Sequence, residues 1–205
     1  LLLGSVAARV ARTATVPVMI VSASASEHRA SACQKTFLSP AGLGPAQTIL
    51  VAIDFEAASL TAVPFAFELA EALSARVHLL HVYAPVVLPG PDGSGNIPFE
   101  PLYHRAIARV REVAKPYVNS ERLGRCFATM GNPSLTILDT ATELAADVIV
   151  VGTHGRTGLQ HLLLGSVAEK VIREARCPVV VTKCSLQASV HNHGPQSTVR
   201  SASVP

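Results

Sequence analysis

The sequence predicts a doubly wound α/β fold on a five-stranded parallel sheet, and three observations carry that prediction. Hydrophobic residues make up 49% of the 205 and aromatics only 4%, with no Trp, so the core must be built from Ala, Val, Leu and Ile. Short β-branched runs alternate with longer segments of helical periodicity, which is the pattern of right-handed βαβ crossovers. The runs at 48–53 and 148–151 are apolar or β-branched throughout, as strands covered on both faces must be.

The chain opens with a repeat. Residues 1–22, LLLGSVAARVARTATVPVMIVS, align without gaps on 162–183, LLLGSVAEKVIREARCPVVVTK, with 12 of 22 positions identical. The offset of 161 residues is the size of a domain rather than of a solenoid unit. Residues 1–21 are therefore expected to be the last helix and strand of a truncated preceding domain. A signal peptide is not expected, because Arg9 and Arg12 follow the apolar start instead of leading it. Residues 22–47, rich in Ser, Ala, Gly and Pro, read as a linker.

The complete domain spans 48–183. A first strand at 48–53 ends on Asp54. Leu60, Val63, Phe67, Ala70 and Leu73 then recur at spacings of three and four, defining one face of a helix, with Pro64 in its first turn or at a kink. A strand at 76–83 is followed by a Pro/Gly-rich loop at 84–98 and a helix at 102–118. That helix carries Ile107, Val110 and Val113 on one face and Arg105, Arg109 and Lys115 on a solvated one. A strand at 126–130, a helix at 133–145 opened by Pro133, a strand at 148–151, a helix at 165–175 and a strand at 178–182 complete the unit. Residues 184–205, polar and without periodicity, read as a disordered tail.

Composition excludes several function classes. A formal charge of +3 with no long Lys/Arg block gives no electrostatic case for nucleic acid or an anionic membrane. No apolar run approaches the roughly 20 residues of a spanning helix. Cys33, Cys126, Cys177 and Cys184 show no CxxC spacing, so neither a zinc site nor a disulfide framework is expected, and a reducing cytoplasm is the plain reading.

In an open parallel sheet, ligands sit beyond the carboxyl ends of the strands where the winding reverses. Asp54 follows the first strand. Gly152-Thr153-His154-Gly155-Arg156-Thr157-Gly158 follows the fourth and leads to a helix start near Gly165-Ser166. Glycines let the main chain approach an anion, and a helix start offers unpaired N–H donors and the positive end of a dipole, so polyphosphate is the expected guest. Ser166 can donate to a phosphate oxygen while capping the helix. His154 reads as a backbone contributor, and His81 as a core-edge histidine with a satisfied ring.

Gly152, two residues, Gly155, nine residues, then Gly165 and Ser166, together with Asp54, His81-Val82 and Gly131-Asn132-Pro133, resemble the nucleotide-binding branch of the universal stress protein family. Residues 1–21 resemble that family's last helix and strand, with Gly4 and Ser5 in the places of Gly165 and Ser166. The resemblance implies a flavodoxin-like, Rossmann-type domain with strand order 3-2-1-4-5 that binds ATP and takes part in regulating a stress response. Val82 would face the adenine, Asp54, preceded by Ala52 and Ile53, would serve the ribose or a magnesium ion, and Gly152, His154, Gly155, Gly165, Ser166 and Val167 would surround the phosphates. It further implies pairing of last strands across a two-fold axis. Residues 16–21 are thus expected antiparallel to 179–182, as an intrachain pseudo-dimer or the seam of a homodimer. No GxxxxGK[ST] string or nucleophile with a His/Asp retinue is present, so at most slow ATP hydrolysis is expected. A slow ATPase or nucleotidyl-transferring enzyme, and a pairing module without nucleotide, stay open as alternatives.

Overall fold

The computed structural model describes residues 5–21, 38–39, 42–43, 47–84, 99–153 and 164–183. In chain order the elements are α1 (Ser5–Thr13), β1 (Val18–Ile20), β2 (Leu38–Ser39), β3 (Gly42–Leu43), β4 (Thr48–Ala52), α2 (Ala57–Leu73) and β5 (Arg76–Tyr83). There follow α3 (Phe99–Ala114), a 3-10 turn at Lys115–Tyr117, β6 (Leu123–Met130), α4 (Pro133–Glu143), β7 (Val148–Gly152), α5 (Ser166–Glu174) and β8 (Val179–Thr182).

The main sheet has six strands in the order β1-β8-β7-β4-β5-β6. Five are parallel and reproduce the expected winding. The sixth, β1, lies antiparallel to β8, pairing Val18 with Val181, Met19 with Val180 and Ile20 with Val179. The antiparallel pairing expected of 16–21 thus forms at three residues. The span read as linker holds a short antiparallel pair, β2 with β3, that its composition did not announce.

Alternation along each strand sorts side chains to two cores. Ile49, Val51, Ile53, Val77, Leu79, Val148 and Val150 pack with Val63, Ala66 and Phe67 of α2 and with Ile107 and Val110 of α3. Leu50, Leu80, Ile149, Val151, Val179 and Val181 pack on the opposite face with Ile137 and Ala141 of α4, Ala168, Val171 and Ile172 of α5, and Ala11 of α1. Each fully buried Val, Leu or Ile contributes roughly 1.5–3 kcal/mol, so these two layers hold the fold.

Several expected boundaries shift for local reasons. Leu60, expected on the buried face of α2, is exposed; the helix instead buries Ala58, Ser59, Ala62, Val63, Ala66, Phe67 and Ala70. Small residues at 58, 62, 66 and 70 let α2 approach the strands closely, which turns Leu60 and Pro64 outward. Pro64 lies in the second turn, exposed, and has no N–H to offer the carbonyl of Leu60. Helix α3 starts three residues earlier than periodicity suggested and gives way to the 3-10 turn at Pro116. Strand β6 starts at Leu123 rather than 126. Its polar, glycine-containing start conceals it, yet Gly124 has a packing reason: a Cβ there would come within 2.8 Å of the His78 ring. At the start of α4, Asn132 accepts from the Leu135 N–H at 3.3 Å and the Ser134 hydroxyl at 2.8 Å, a side-chain cap. Among the described residues no helix is long and apolar enough to cross a membrane.

Candidate functional site

The winding reverses between β4 and β7, whose carboxyl ends lie side by side with Ala52 opposite Val151. Past β4 the chain turns sharply. The Ile53 N–H donates to the Leu80 carbonyl at 2.8 Å, and the Asp54 N–H donates to Ser59 Oγ at 3.1 Å. The Ser59 hydroxyl returns a 2.6 Å hydrogen bond to Asp54 Oδ1, and the Glu56 N–H donates to the same oxygen at 3.0 Å. One carboxylate oxygen is thereby fixed to the first turn of α2. The other, Oδ2, takes no hydrogen bond among the described residues.

Between them Phe55 adopts φ 68°, the left-handed region that side-chain-bearing residues rarely occupy. Its ring is held from two sides, by the Arg109 guanidinium 3.9 Å from its centroid and by the His81 ring at 4.3 Å. Such strain persists only where surroundings over-determine it. His81 is buried, with Nδ1 2.8 Å from the Ile53 carbonyl, so it is the satisfied core histidine the sequence suggested. Ile53 itself points into the α2/α3 core, and its amide and carbonyl are engaged by Leu80 and His81.

Gly152 ends β7 directly beneath α2. A Cβ there would lie 2.7 Å from the Ser59 nitrogen and 2.8 Å from the Ala58 carbonyl carbon. Its lack of a side chain is thus required for the helix to reach the strand, bringing Asp54, Ser59 and Gly152 into one contiguous patch. The Thr153 N–H donates to the Thr182 carbonyl at 2.9 Å, and the Gly165 N–H to the Thr153 carbonyl at 2.8 Å, so Gly165 is anchored against the end of β7. His154 and Gly155 lie outside the described residues.

Gly165 is the N-cap of α5, with no side-chain capping bond, and Ser166 is the first helical residue and exposed. The capping role expected of Ser166 is therefore not realised, because the hydroxyl sits one position too late. Among the described residues no side chain caps the N–H donors of the first turn of α5, although the exposed Glu169 carboxylate in that turn opposes a bound anion. Ala52, Val82 and Val167 are half-buried and pack on the same α4/α5 core, so a partly apolar surface adjoins the polar patch. Among the described residues no three His, Cys, Asp or Glu side chains gather to cage a metal. A shallow cleft of about 450 Å³, between the start of α3 and the end of β6, is lined by Glu100, Tyr103, His104, Ala128, Thr129 and Met130 and contains none of the predicted residues.

Ser59 was missed in the sequence reading. Its signal was available: a hydroxyl five residues beyond a strand-ending aspartate falls in the first turn of the next helix, within reach of that carboxylate. Phe55 and Arg109 had no sequence signal, since their stacking depends on α3 crossing the β4 turn.

Comparison with known proteins agrees with this architecture. The model of the Universal stress protein family matches residues 45–183. A universal stress protein of Methanocaldococcus jannaschii is 35% identical over 143 residues, covering 66% of this chain and 81% of that protein. The crystal structure of a universal stress protein in complex with cAMP superposes with a TM-score of 0.51 at 28% identity, covering 69% of this chain and all of the other (100%). A functionally unknown protein of Pseudomonas aeruginosa, similar in fold at 23% identity and a TM-score of 0.55, covers 89% of this chain, which spans 57% of it. A parallel sheet wound in this order, an aspartate at its switch point and a family match over 45–183 lead to one conclusion: the chain belongs to the universal stress protein family.

Proposed function

We propose that the domain binds an adenine nucleotide, ATP with magnesium, beyond the carboxyl ends of β4, β5 and β7, and that occupancy serves a regulatory role in a stress response. The observation that carries the reading is Asp54, whose Oδ1 is tied down by Ser59 and the Glu56 amide while Oδ2 is left to a ligand. A carboxylate oriented in this way suits a ribose hydroxyl or one coordination position of a magnesium ion. Magnesium ordinarily binds through one or two carboxylates plus substrate phosphates and water, so the lack of a three-ligand cage is compatible with it. The uncapped first turn of α5 supplies N–H donors for phosphate, and Ala52, Val82 and Val167 supply apolar contact for the base. His154 and Gly155 complete the proposed phosphate surround on sequence grounds alone. The similarity to a cAMP-bound relative supports adenine as the base and leaves the phosphate chain to experiment.

Titration calorimetry with ATP and with cAMP, each with and without magnesium, tests the reading. Asp54→Ala is expected to weaken magnesium-ATP binding on the order of 10-fold or more, the loss of a charge-assisted contact. Gly165→Val should weaken it as well, by blocking approach to the α5 start. Folded variants with unchanged affinity, or no heat with either nucleotide, would remove nucleotide binding from the account.

A further inference from the structure

The basic face of α3 reads in sequence as solvated, and Lys115 behaves that way, pairing with Glu112 at the surface at 2.8 Å. Arg109 does not. Its guanidinium lies over the Phe55 ring, 3.9 Å from the centroid, and among the described residues no carboxylate pairs with it. The ring it covers belongs to the turn that carries Asp54.

Among the described residues three other than glycine have positive φ. Ser74, at 54°, caps the C-terminal end of α2, and Ala145, at 47°, follows the last turn of α4, places where a left-handed residue routinely ends a helix. Phe55, at 68°, stands at neither. It lies between the end of β4 and the start of α2, where no helix end favours the conformation and the surroundings of the side chain must hold it. The hydrogen bonds of Asp54 with Glu56 and Ser59 all run within residues 54–59, so they tie the carboxylate to the first turn of α2 and to no other element. The ring makes the wider connection. It meets His81 of β5 at 4.3 Å, itself buried and bonded to the Ile53 carbonyl, and Arg109 of α3 on a second side.

We infer that Arg109 is a positioning residue for the Asp54 carboxylate: stacked on Phe55, it holds the turn in its left-handed conformation and so sets the affinity for the metal–nucleotide ligand that Asp54 takes. A cation over a ring face is attracted by the ring's quadrupole, and a planar guanidinium also stacks on it. A turn released from α3 is free to return to negative φ, which carries the Glu56 N–H away from Oδ1 and lets the carboxylate swing. The consequence for affinity rests on the nucleotide reading. The hold of Arg109 on the turn does not, and it is measurable in the unliganded chain.

Amide hydrogen exchange of the free chain tests the hold. In Arg109→Ala the Glu56 amide is expected to exchange about 2- to 5-fold faster, the equivalent of one exposed cation–π contact, while Leu50 and Val51 of β4 keep their rates. Arg109→Lys, which keeps a cation over the ring, should retain most of the protection, and Arg109→Gln should behave as the alanine does. In a Phe55→Leu chain, Arg109→Ala should change nothing further. Titration calorimetry tests the consequence: magnesium-ATP affinity should fall about 2- to 5-fold in Arg109→Ala, and not at all when the same change is made in the Phe55→Leu chain. An unchanged Glu56 rate in Arg109→Ala, a rise shared equally by Leu50 and Val51, or full protection in Arg109→Gln overturns the proposal. So does an affinity loss that persists in the Phe55→Leu chain, which makes Arg109 a direct attractor of phosphate. If the Phe55→Leu chain does not fold, the Lys and Gln variants decide, since position 109 is exposed. If neither ATP nor cAMP gives heat with the unaltered chain, the nucleotide reading fails, and the exchange rates alone decide the positioning role.

Discussion

Val10 and Val171 occupy the same place in two copies of one helix, yet the first is 47% exposed and the second fully buried. Their local sequences are close enough that propensity cannot separate them; the difference is the slot each helix fills. Helix α5 lies on a strand, β7, that α1 lacks among the described residues. Helix α1 instead buries Ala8 and Ala11, and Ala11 joins the α4/α5 core. The counterpart of Ala8 is Glu169, which is exposed. The first copy thus buries an alanine at the position where the second presents a carboxylate to solvent. Burial here is set by the neighbour rather than by the residue, and the substitutions between the copies record which neighbour each one has.

The largest expected effect breaks the comparison directly. Val171→Asp places an unpaired charge in a closed core and is expected to cost about 3–5 kcal/mol, whereas Val10→Asp should stay within about 0.5 kcal/mol. Urea denaturation of both variants measures the difference, and similar losses would mean that α1 is as enclosed as α5.

A smaller effect sharpens it, because β7 is what the second copy has and the first, among the described residues, does not. Gly152→Ala pushes a methyl against the Ser59 nitrogen and the Ala58 carbonyl in the first turn of α2. Overpacking of that kind is expected to cost about 1–3 kcal/mol. The same shift would disturb the Ser59–Asp54 hydrogen bond, so nucleotide affinity and stability should fall together. A variant of undiminished stability would show that α2 is not held to β7 at this point.

How much of this was legible depended on whether a residue answers to its own neighbours in sequence or to a distant element. The runs 48–53 and 148–151 announced buried strands because continuous β-branched residues have few other uses. Asp54 and the glycine spacing announced the switch point. Gly152 was legible as a glycine but not for its packing reason, since the obstacle to a side chain there is α2, about 90 residues earlier in the chain. Leu60 misled because its spacing fits a core face, while the alanines of the same helix decide which face can approach the sheet. Ser166 misled in a similar way: the Gly-Ser pair fits a cap, but the helix starts one residue sooner than a serine cap needs.

The smallest expected effect concerns the link between the copies. The Lys183 ammonium donates to the Arg12 carbonyl, close to the C-terminal end of α1, where carbonyls lack helical partners and the dipole is negative. Its counterpart, Ser22, carries neither that reach nor that charge, so this contact breaks the two-fold. Lys183→Ala is expected to cost at most about 1 kcal/mol. Burial lowers the pKa of Lys183 below its ordinary 10.5, so the folded chain holds this proton less tightly than the unfolded one. Between the lowered value and 10.5 the unfolded state binds more protons, and stability therefore rises with pH in that window. The alanine variant should lose that alkaline rise. Denaturation midpoints across pH 9–11, read for both proteins, decide it: parallel curves would mean that Lys183 is solvated as freely in the folded chain as in the unfolded one.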